Sequence, residues 1–196
     1  MSTSILDPED IMILPLREYI RIHGRDDAVS RISEYRCIRD SATEAFLHEK
    51  AIEMESRDLS RTCLAILPDN GKVIGYITLS IKCMTVPKEN LLSGKVLRNM
   101  NIESRIGIAQ SYLLGQLSRS SDAPKGLGTL LLDFAFDRLS VAKDAVGCKM
   151  VRLDCHYELI PYYTDHGFKL IRKNDDGTLN QMMAFIPDCG SSDSDL

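Results

Sequence analysis

Two short stretches carry residues whose types and spacing could do chemistry. The first is Ala123-Pro-Lys-Gly126-Leu-Gly128-Thr129, set between an apolar run, Tyr112-Leu-Leu-Gly-Gln-Leu117, and a leucine-rich run, Leu130-Leu-Leu-Asp-Phe-Ala135. Glycines at a strand-to-helix turn let the main chain approach a ligand closely, and a helix start offers N–H groups without intrahelical partners. Together they make an anion site suited to phosphate or pyrophosphate. The second is Tyr163-Thr-Asp-His-Gly167-Phe168, a phenol downstream that could donate a proton. Each stretch also has a plainer reading: the glycines serve turn and helix-start geometry, and Tyr163 is a packed aromatic at a helix end. The turn lacks the Gly-Lys-Ser/Thr ending of a P-loop and the third glycine of the dinucleotide type.

The elements that must position these residues follow from periodicity. Ile11 to Ile22 has a partly helical spacing that Pro15 weakens, and Arg31 to Ile38 reads as a short strand. Ser41 to Asp58 reads as a helix opened by the capping box Ser41-x-x-Glu44, with Phe46, Leu47, Ala51 and Met54 on one face. Arg61–Leu67 and Val73–Ile81 flank an Asn70-Gly71 turn and predict a hairpin. The polar stretch from Val86 to Ile108 predicts a loop with some helix, and Ala109 to Leu117 a strand. Leu127 to about Val146 predicts a helix capped by Gly147, followed by a strand at Met150–Cys155 and a short helix from Glu158 to His166. Phe168–Ile171 and Gln181–Ile186 close the chain as a hairpin around Asn174-Asp-Asp-Gly177. This order predicts a mixed α/β (α+β) fold, with a mostly antiparallel central sheet, helices on both faces and one parallel crossover.

Bulk properties bound the function. At 196 residues, net charge −4 and pI about 5.6, one domain is the default, and no global charge favours nucleic acid or anionic membrane. We expect a single domain over 1–188, with 1–32 as an N-terminal helical extension, and a disordered acidic tail over 189–196. No run reaches the ~18 apolar residues of a membrane span, and the first residues do not read as a secretory signal. The six cysteines form no C-x-x-C pair, so no metal site is expected, and they read as reduced thiols of a cytoplasmic protein. Cys63, Cys83 and Cys155 lie in apolar strands and are expected in the core.

The arrangement resembles the GNAT superfamily of acetyl-CoA-dependent N-acetyltransferases over about residues 33 to 186. The family turn is Gln/Arg-x-x-Gly-x-Gly/Ala; here Gly126 and Gly128 match, and Ala123 departs at the first position. The family's Tyr-x-x-x-Gly-Phe is matched by Tyr163, Gly167 and Phe168, while His156 stands where an asparagine is often found. Cys37, the helix from Ser41, Gly75-Tyr-Ile-Thr-Leu79 and Leu114-Gly-Gln-Leu117 are similar to a subset that includes toxins of toxin–antitoxin pairs, which acetylate the amino acid on charged tRNA. The acidic balance and the Ser118-Arg-Ser-Ser-Asp-Ala-Pro turn depart from that subset.

The resemblance implies transfer of an acetyl group from acetyl-CoA to a primary amine by direct attack in a ternary complex. The backbone of Gly126, Leu127, Gly128 and Thr129, with Pro124 and Lys125, would hold the pyrophosphate. The strand backbone at Leu117, Ser118 and Arg119 would pair with the pantetheine amides. Leu117 N–H would stabilise the oxyanion and Tyr163 would protonate the departing sulfur; His156, at the family's asparagine place, would be a further cofactor contact. Asp154, His156 and Glu158 are the nearest residues to a general base, each also fitting a surface or helix-capping role. Weak support for a base suits an α-amine, of pKa about 8, better than a lysine near ~10.4. Charged tRNA and a homodimer are partners the resemblance allows. The other class of reading is an acyl-CoA-binding or interaction module with little turnover.

Overall fold

The computed structural model describes residues 11–103, 105–174 and 176–188. The expected acidic tail at 189–196 lies outside them. The strands are β1 (Met12–Pro15), β2 (Arg61–Leu67), β3 (Lys72–Ile81), β4 (Met84–Thr85), β5 (Ile108–Ala109), β6 (Tyr112–Arg119), β7 (Met150–Cys155), β8 (Lys169–Lys173) and β9 (Asn180–Phe185). The helices are α1 (Leu16–His23), α2 (Arg25–Ser33), α3 (Ser41–Glu49), α4 (Ala51–Ser56), α5 (Gly94–Asn99), α6 (Leu127–Val146) and α7 (Ile160–Asp165). Seven strands form one sheet in the order β1-β2-β3-β6-β7-β9-β8, and β4 pairs with β5 in a separate ribbon. The predicted mixed α/β class with a mostly antiparallel sheet is what the chain adopts: β1–β2, β2–β3, β7–β9 and β8–β9 are antiparallel, and β6–β7 is parallel.

The chain divides into two compact units, Met1–Ser80 with Gln116–Ala135, and Ile81–Gly115 with Phe136–Leu196. In the first unit, Leu16, Tyr19, Ala28, Ile32, Leu47, Ala51 and Ile52 of the four N-terminal helices bury against Leu64, Ile66, Val73 and Tyr76 of the β2–β3 hairpin. Tyr76 and Gly75 point to opposite faces of β3. Tyr76 meets the N-terminal helices, while a side-chain carbon built on Gly75 would sit 2.9 Å from Leu127 Cδ2 and 3.2 Å from Leu131 Cδ1 of α6. Helices therefore cover both faces of this unit. The hairpin turn uses Gly71 at φ +67, with its N–H bonded to the Leu67 carbonyl at 2.9 Å.

In the second unit, Met84, Val86, Val96, Met100 and Ala109 pack with Met150, Ile171 and Met183. The stretch from Val86 to Ile108, expected as loop with some helix, supplies α5 and one strand of the β4–β5 ribbon. α6 and β7 have the expected limits, and Gly147 at φ +81 ends α6 with its N–H on the Lys143 carbonyl at 2.8 Å.

Four expectations change. Ile11 to Ile22 is a strand to Pro15 and a helix after it; Pro15, at φ −57, stands where the helix begins. Arg31 to Ile38 is the end of α2 and a loop; Tyr35 and Cys37 are buried and Arg36 and Ile38 exposed, so the strand-like alternation is real but pairs with no strand. The helix from Ser41 is two helices meeting at Lys50, and its cap is Asp40, whose carboxylate accepts from the N–H groups of Ala42 at 2.9 Å and Thr43 at 3.3 Å. Glu44 reaches further back, to Cys37 N–H at 2.7 Å. Cys63 and Cys155 are core residues as expected, but Cys83 is exposed between β3 and β4.

Candidate active site

The glycine turn opens α6, the longest helix among the described residues at 20 residues. Leu130 N–H donates to the Gly126 carbonyl at 3.0 Å, so the intrahelical ladder starts there and the preceding N–H groups face out of the helix end. Gly126 sits at φ +90 with nothing within 4 Å of the space a side chain would fill. Its glycine is required by backbone conformation, not by crowding. Lys125 and Gly126 are exposed, Leu127 is buried under the turn, and Gly128 and Thr129 are half-buried. The turn is braced from its N-terminal side. Lys72 pairs with Asp122, Ser120 Oγ donates to Asp122 at 2.8 Å, and Ala123 N–H donates to the Ser120 carbonyl at 3.2 Å. Lys72 first, then Ser120, holds the Asp122 carboxyl below its ordinary range. The Arg119 guanidinium reaches the Ala123 carbonyl at 3.5 Å.

β6 enters this turn with its two backbone edges differently used. Ser120 N–H donates to the Ile74 carbonyl of β3 at 2.8 Å, and the Ser118 carbonyl lies 2.9 Å from the carbon a Gly75 side chain would add. Backbone polarity alternates along a strand. Ser118 and Ser120 thus turn their peptide groups toward β3, and Leu117 and Arg119 turn theirs away from it. At the other end of β6, the ladder with β7 registers Tyr112 opposite Val151 and Leu113 opposite Arg152.

Tyr163 lies on α7 and is 6% exposed. Its ring packs edge-on to Phe168 at 5.6 Å and Tyr162 at 5.1 Å, and Phe168 packs on Phe136 at 5.7 Å. The chain folds back here because Phe168 N–H returns to the Tyr163 carbonyl at 3.0 Å, with Gly167 at φ +83 in between. The packed-aromatic reading of Tyr163 therefore describes its ring. Burial first, then neighbouring Tyr162 and Cys155, pushes this phenol above its ordinary value. Burial, with Asp154 and Glu158 beside it, likewise pushes the Cys155 thiol up to about 11.

The candidate bases separate by environment. Asp154 accepts two bonds from Arg152 Nη2, at 2.9 and 3.0 Å, and Arg152 is itself 6% exposed. With its amide turned over, Gln181 accepts from the same guanidinium at 2.6 Å, and the Cys83 carbonyl accepts from Nη1 at 3.4 Å. Sequence reading missed this buried cluster; its signal was an arginine inside Met-Val-Arg-Leu-Asp-Cys, two residues from an acid on the same strand face. His156 and Glu158 are exposed at the 3₁₀ turn Tyr157–Leu159, where the His156 carbonyl accepts from Leu159 N–H at 3.0 Å. Among the described residues no group of His, Cys, Asp and Glu could hold a metal ion, and no helix is long and apolar enough to cross a membrane.

No protein-family model matches the chain, and no curated protein matches it. Solved structures do. A crystal structure of a KacT point mutant superposes with a TM-score of 0.72 at 18% identity, covering 90% of this chain and 95% of that one. AtaT complexed with acetyl-methionyl-tRNAfMet gives 0.69 at 20% identity, covering 87% and 94%. AtaTR bound with acetyl-CoA gives 0.64 at 20%, covering 91% and 94%. With its parallel β6–β7 crossover, its glycine turn opening α6 and these likenesses along nearly the whole chain, the protein has the GNAT-type fold in the form shared by KacT and the toxin AtaT.

Proposed function

We propose that the protein is an acetyl-CoA-dependent N-acetyltransferase acting by direct attack in a ternary complex. The observation that carries this reading is the turn at Gly126: a left-handed glycine, open above, at the start of a long helix and directly after a strand whose Leu117 and Arg119 peptides turn away from β3. Such a turn holds a pyrophosphate by backbone N–H groups, with Pro124, Lys125, Leu127, Gly128 and Thr129 around it. An extended amide chain adds to a strand edge as a peptide does. Structures of AtaT and AtaTR with acetyl-CoA show that this fold takes that ligand elsewhere.

The amine nitrogen attacks the thioester carbonyl carbon, and the oxyanion is met by Leu117 N–H. The C–S bond breaks, the thiolate takes the Tyr163 proton, and the proton released by the acylated nitrogen restores the Tyr163 phenol through solvent. A phenol raised by burial is a weaker acid than in water. A thiolate formed where water is excluded is raised by the same desolvation, so the two remain matched. The proposed setting is the cytoplasm, where thiols such as those of Cys37, Cys83, Cys148 and Cys155 stay reduced.

A specific observation favours an aminoacyl-tRNA as the acceptor. Asp154, the most enclosed of the candidate bases, is committed to Arg152, and an α-amine of pKa about 8 needs little help from a base. AtaT has been captured with an acetylated methionyl-tRNA. The test is calorimetric titration with acetyl-CoA, with the double variant Gly126→Glu, Gly128→Glu as control, followed by acetylation assays on charged tRNA, lysine peptides and small amines. Micromolar binding lost in the variant supports the reading. Absence of binding by folded protein overturns it and leaves an interaction scaffold.

A further inference from the structure

Ser118 is buried, at 6% exposure, in the strand proposed to hold the thioester arm, yet its peptide group faces β3. Its side chain is the centre of a hydroxyl cluster. Tyr35 Oη lies 2.7 Å from Ser118 Oγ, and Thr43 Oγ1 lies 2.9 Å from the same atom. Neither partner is loosely held. Thr43 Oγ1 also donates to the Asp40 carbonyl at 2.9 Å, and the Thr43 carbonyl accepts from Tyr76 Oη at 2.6 Å. The Tyr35 ring, 1% exposed, packs edge-on to Tyr76 at 5.7 Å. One residue pair further along, Ile38 N–H donates to Ser121 Oγ at 3.1 Å. The loop between α2 and α3 is thus bolted to β6 at Ser118 and to the start of the glycine turn at Ser121.

We infer that Tyr35 and Thr43 are positioning residues that act through Ser118 Oγ to fix the backbone of β6, so that the outward peptides of Leu117 and Arg119 are set for the pantetheine arm. This rests on the acetyl-CoA reading above and gives Ser118 a side-chain role in place of a backbone contact to the ligand. A strand edge that receives a ligand lacks a neighbouring strand to hold it there, so its register must be fixed from the side and from the other edge. On the other edge Ser120 bonds Ile74, and Gly75 permits the close approach. From the side, the Ser118 hydroxyl makes two directed bonds: with the Thr43 proton given to the Asp40 carbonyl, Ser118 Oγ donates to Thr43 Oγ1 and accepts from the rigid, buried Tyr35. Binding groups held in advance avoid the cost of ordering them when the ligand arrives.

The test separates the two halves of the ligand. Acetyl-CoA uses both β6 and the glycine turn, whereas adenosine 3′-phosphate 5′-diphosphate lacks the pantetheine arm and uses the turn alone. Each is titrated into the wild type, Tyr35→Phe, Thr43→Val and Thr43→Ser, with circular dichroism to confirm folding. The expected result is acetyl-CoA binding weakened roughly three- to tenfold in Tyr35→Phe and Thr43→Val, consistent with loss of one hydrogen bond. Binding of the truncated nucleotide should be unchanged in both, and Thr43→Ser should restore acetyl-CoA binding toward wild type. Equal weakening of both ligands, or of neither, in folded variants overturns the inference while leaving the acetyl-CoA reading intact. A folded wild type that binds neither ligand overturns the acetyl-CoA reading itself, and this inference with it.

Discussion

At the scale of single residues, two side chains carry opposite kinds of prediction. Tyr163 is a buried phenol whose ring is already satisfied by Phe168 and Tyr162, so Tyr163→Phe keeps the packing and removes only the proton. Turnover should fall about a hundredfold or more, the usual worth of a positioned acid, while the acetyl-CoA dissociation constant from calorimetry stays within about twofold. Unchanged turnover would move the acid elsewhere. Asp154 is the reverse case. Its carboxylate is the counter-charge of Arg152, which is buried, and whose Nε has no partner among the described residues. Asp154→Asn leaves that guanidinium uncompensated and should cost roughly 3 kcal/mol in urea unfolding, with any loss of activity following the loss of fold. The fold-back after Tyr163 was legible because a Gly-Phe pair follows it at fixed spacing. The Tyr35–Thr43–Ser118 cluster was not, because it joins residues from separate elements; Arg152 and Asp154 share one face of β7, but Gln181, which completes their cluster, comes from β9. Hydroxyls and a charge pair leave no periodicity to read.

At the scale of elements, glycine does two different jobs that substitution can tell apart. Gly126 has open space around it and a left-handed φ, so Gly126→Ala meets only the backbone penalty, about 1 kcal/mol. Gly75 has an ordinary strand backbone and no room: an added carbon would lie 2.9 Å from both Leu127 Cδ2 and the Ser118 carbonyl. One of those contacts is main chain and cannot rotate away, so Gly75→Ala should push β3 from β6 and cost 2–3 kcal/mol, the scale of overpacking a core. Denaturant melts of the two variants should therefore differ by at least 1 kcal/mol, with Gly75→Ala the weaker protein; the opposite order would mean the turn, not the sheet, is the tighter joint. Sequence placed three elements at their observed limits. β2, α6 and β7 follow from runs of apolar residues bounded by turn residues. Arg31 to Ile38 read as a strand because Tyr35 and Cys37 alternate with Arg36 and Ile38, the first pair buried and the second exposed. Its partners are side chains, the Ser118 and Ser121 hydroxyls and the Glu44 carboxylate, and the alternation cannot say so. The break at Lys50 carries neither glycine nor proline, and nothing in the structure explains it.

At the scale of the molecule, the buried tyrosines set how the protein meets alkali. Tyr35 and Tyr76 lie in the first unit and Tyr163 in the second, and burial is the largest cause raising all three phenols above their ordinary value. Below pH ~10 each is neutral in both the folded and the unfolded chain, and whatever packing it contributes is fully present. Above that pH the unfolded chain loses a proton from each phenol and the folded chain does not, so the folded state binds more protons and stability falls as pH rises. Each phenol removes about 1.4 kcal/mol per pH unit inside that window. Three of them acting together exhaust an ordinary stability of roughly 5–15 kcal/mol within a few pH units. The expected outcome is a cooperative alkaline unfolding in which the phenolate ultraviolet band of these tyrosines rises together with loss of far-ultraviolet circular dichroism. Tyr157, 79% exposed, is replaced by phenylalanine to clear the trace. Tyr35→Phe, which removes one titrating hydroxyl and keeps the ring, should move the transition to higher pH. Full phenolate absorbance with the circular dichroism intact would show that water reaches these rings in the folded state, and would overturn burial as the cause of their raised titration.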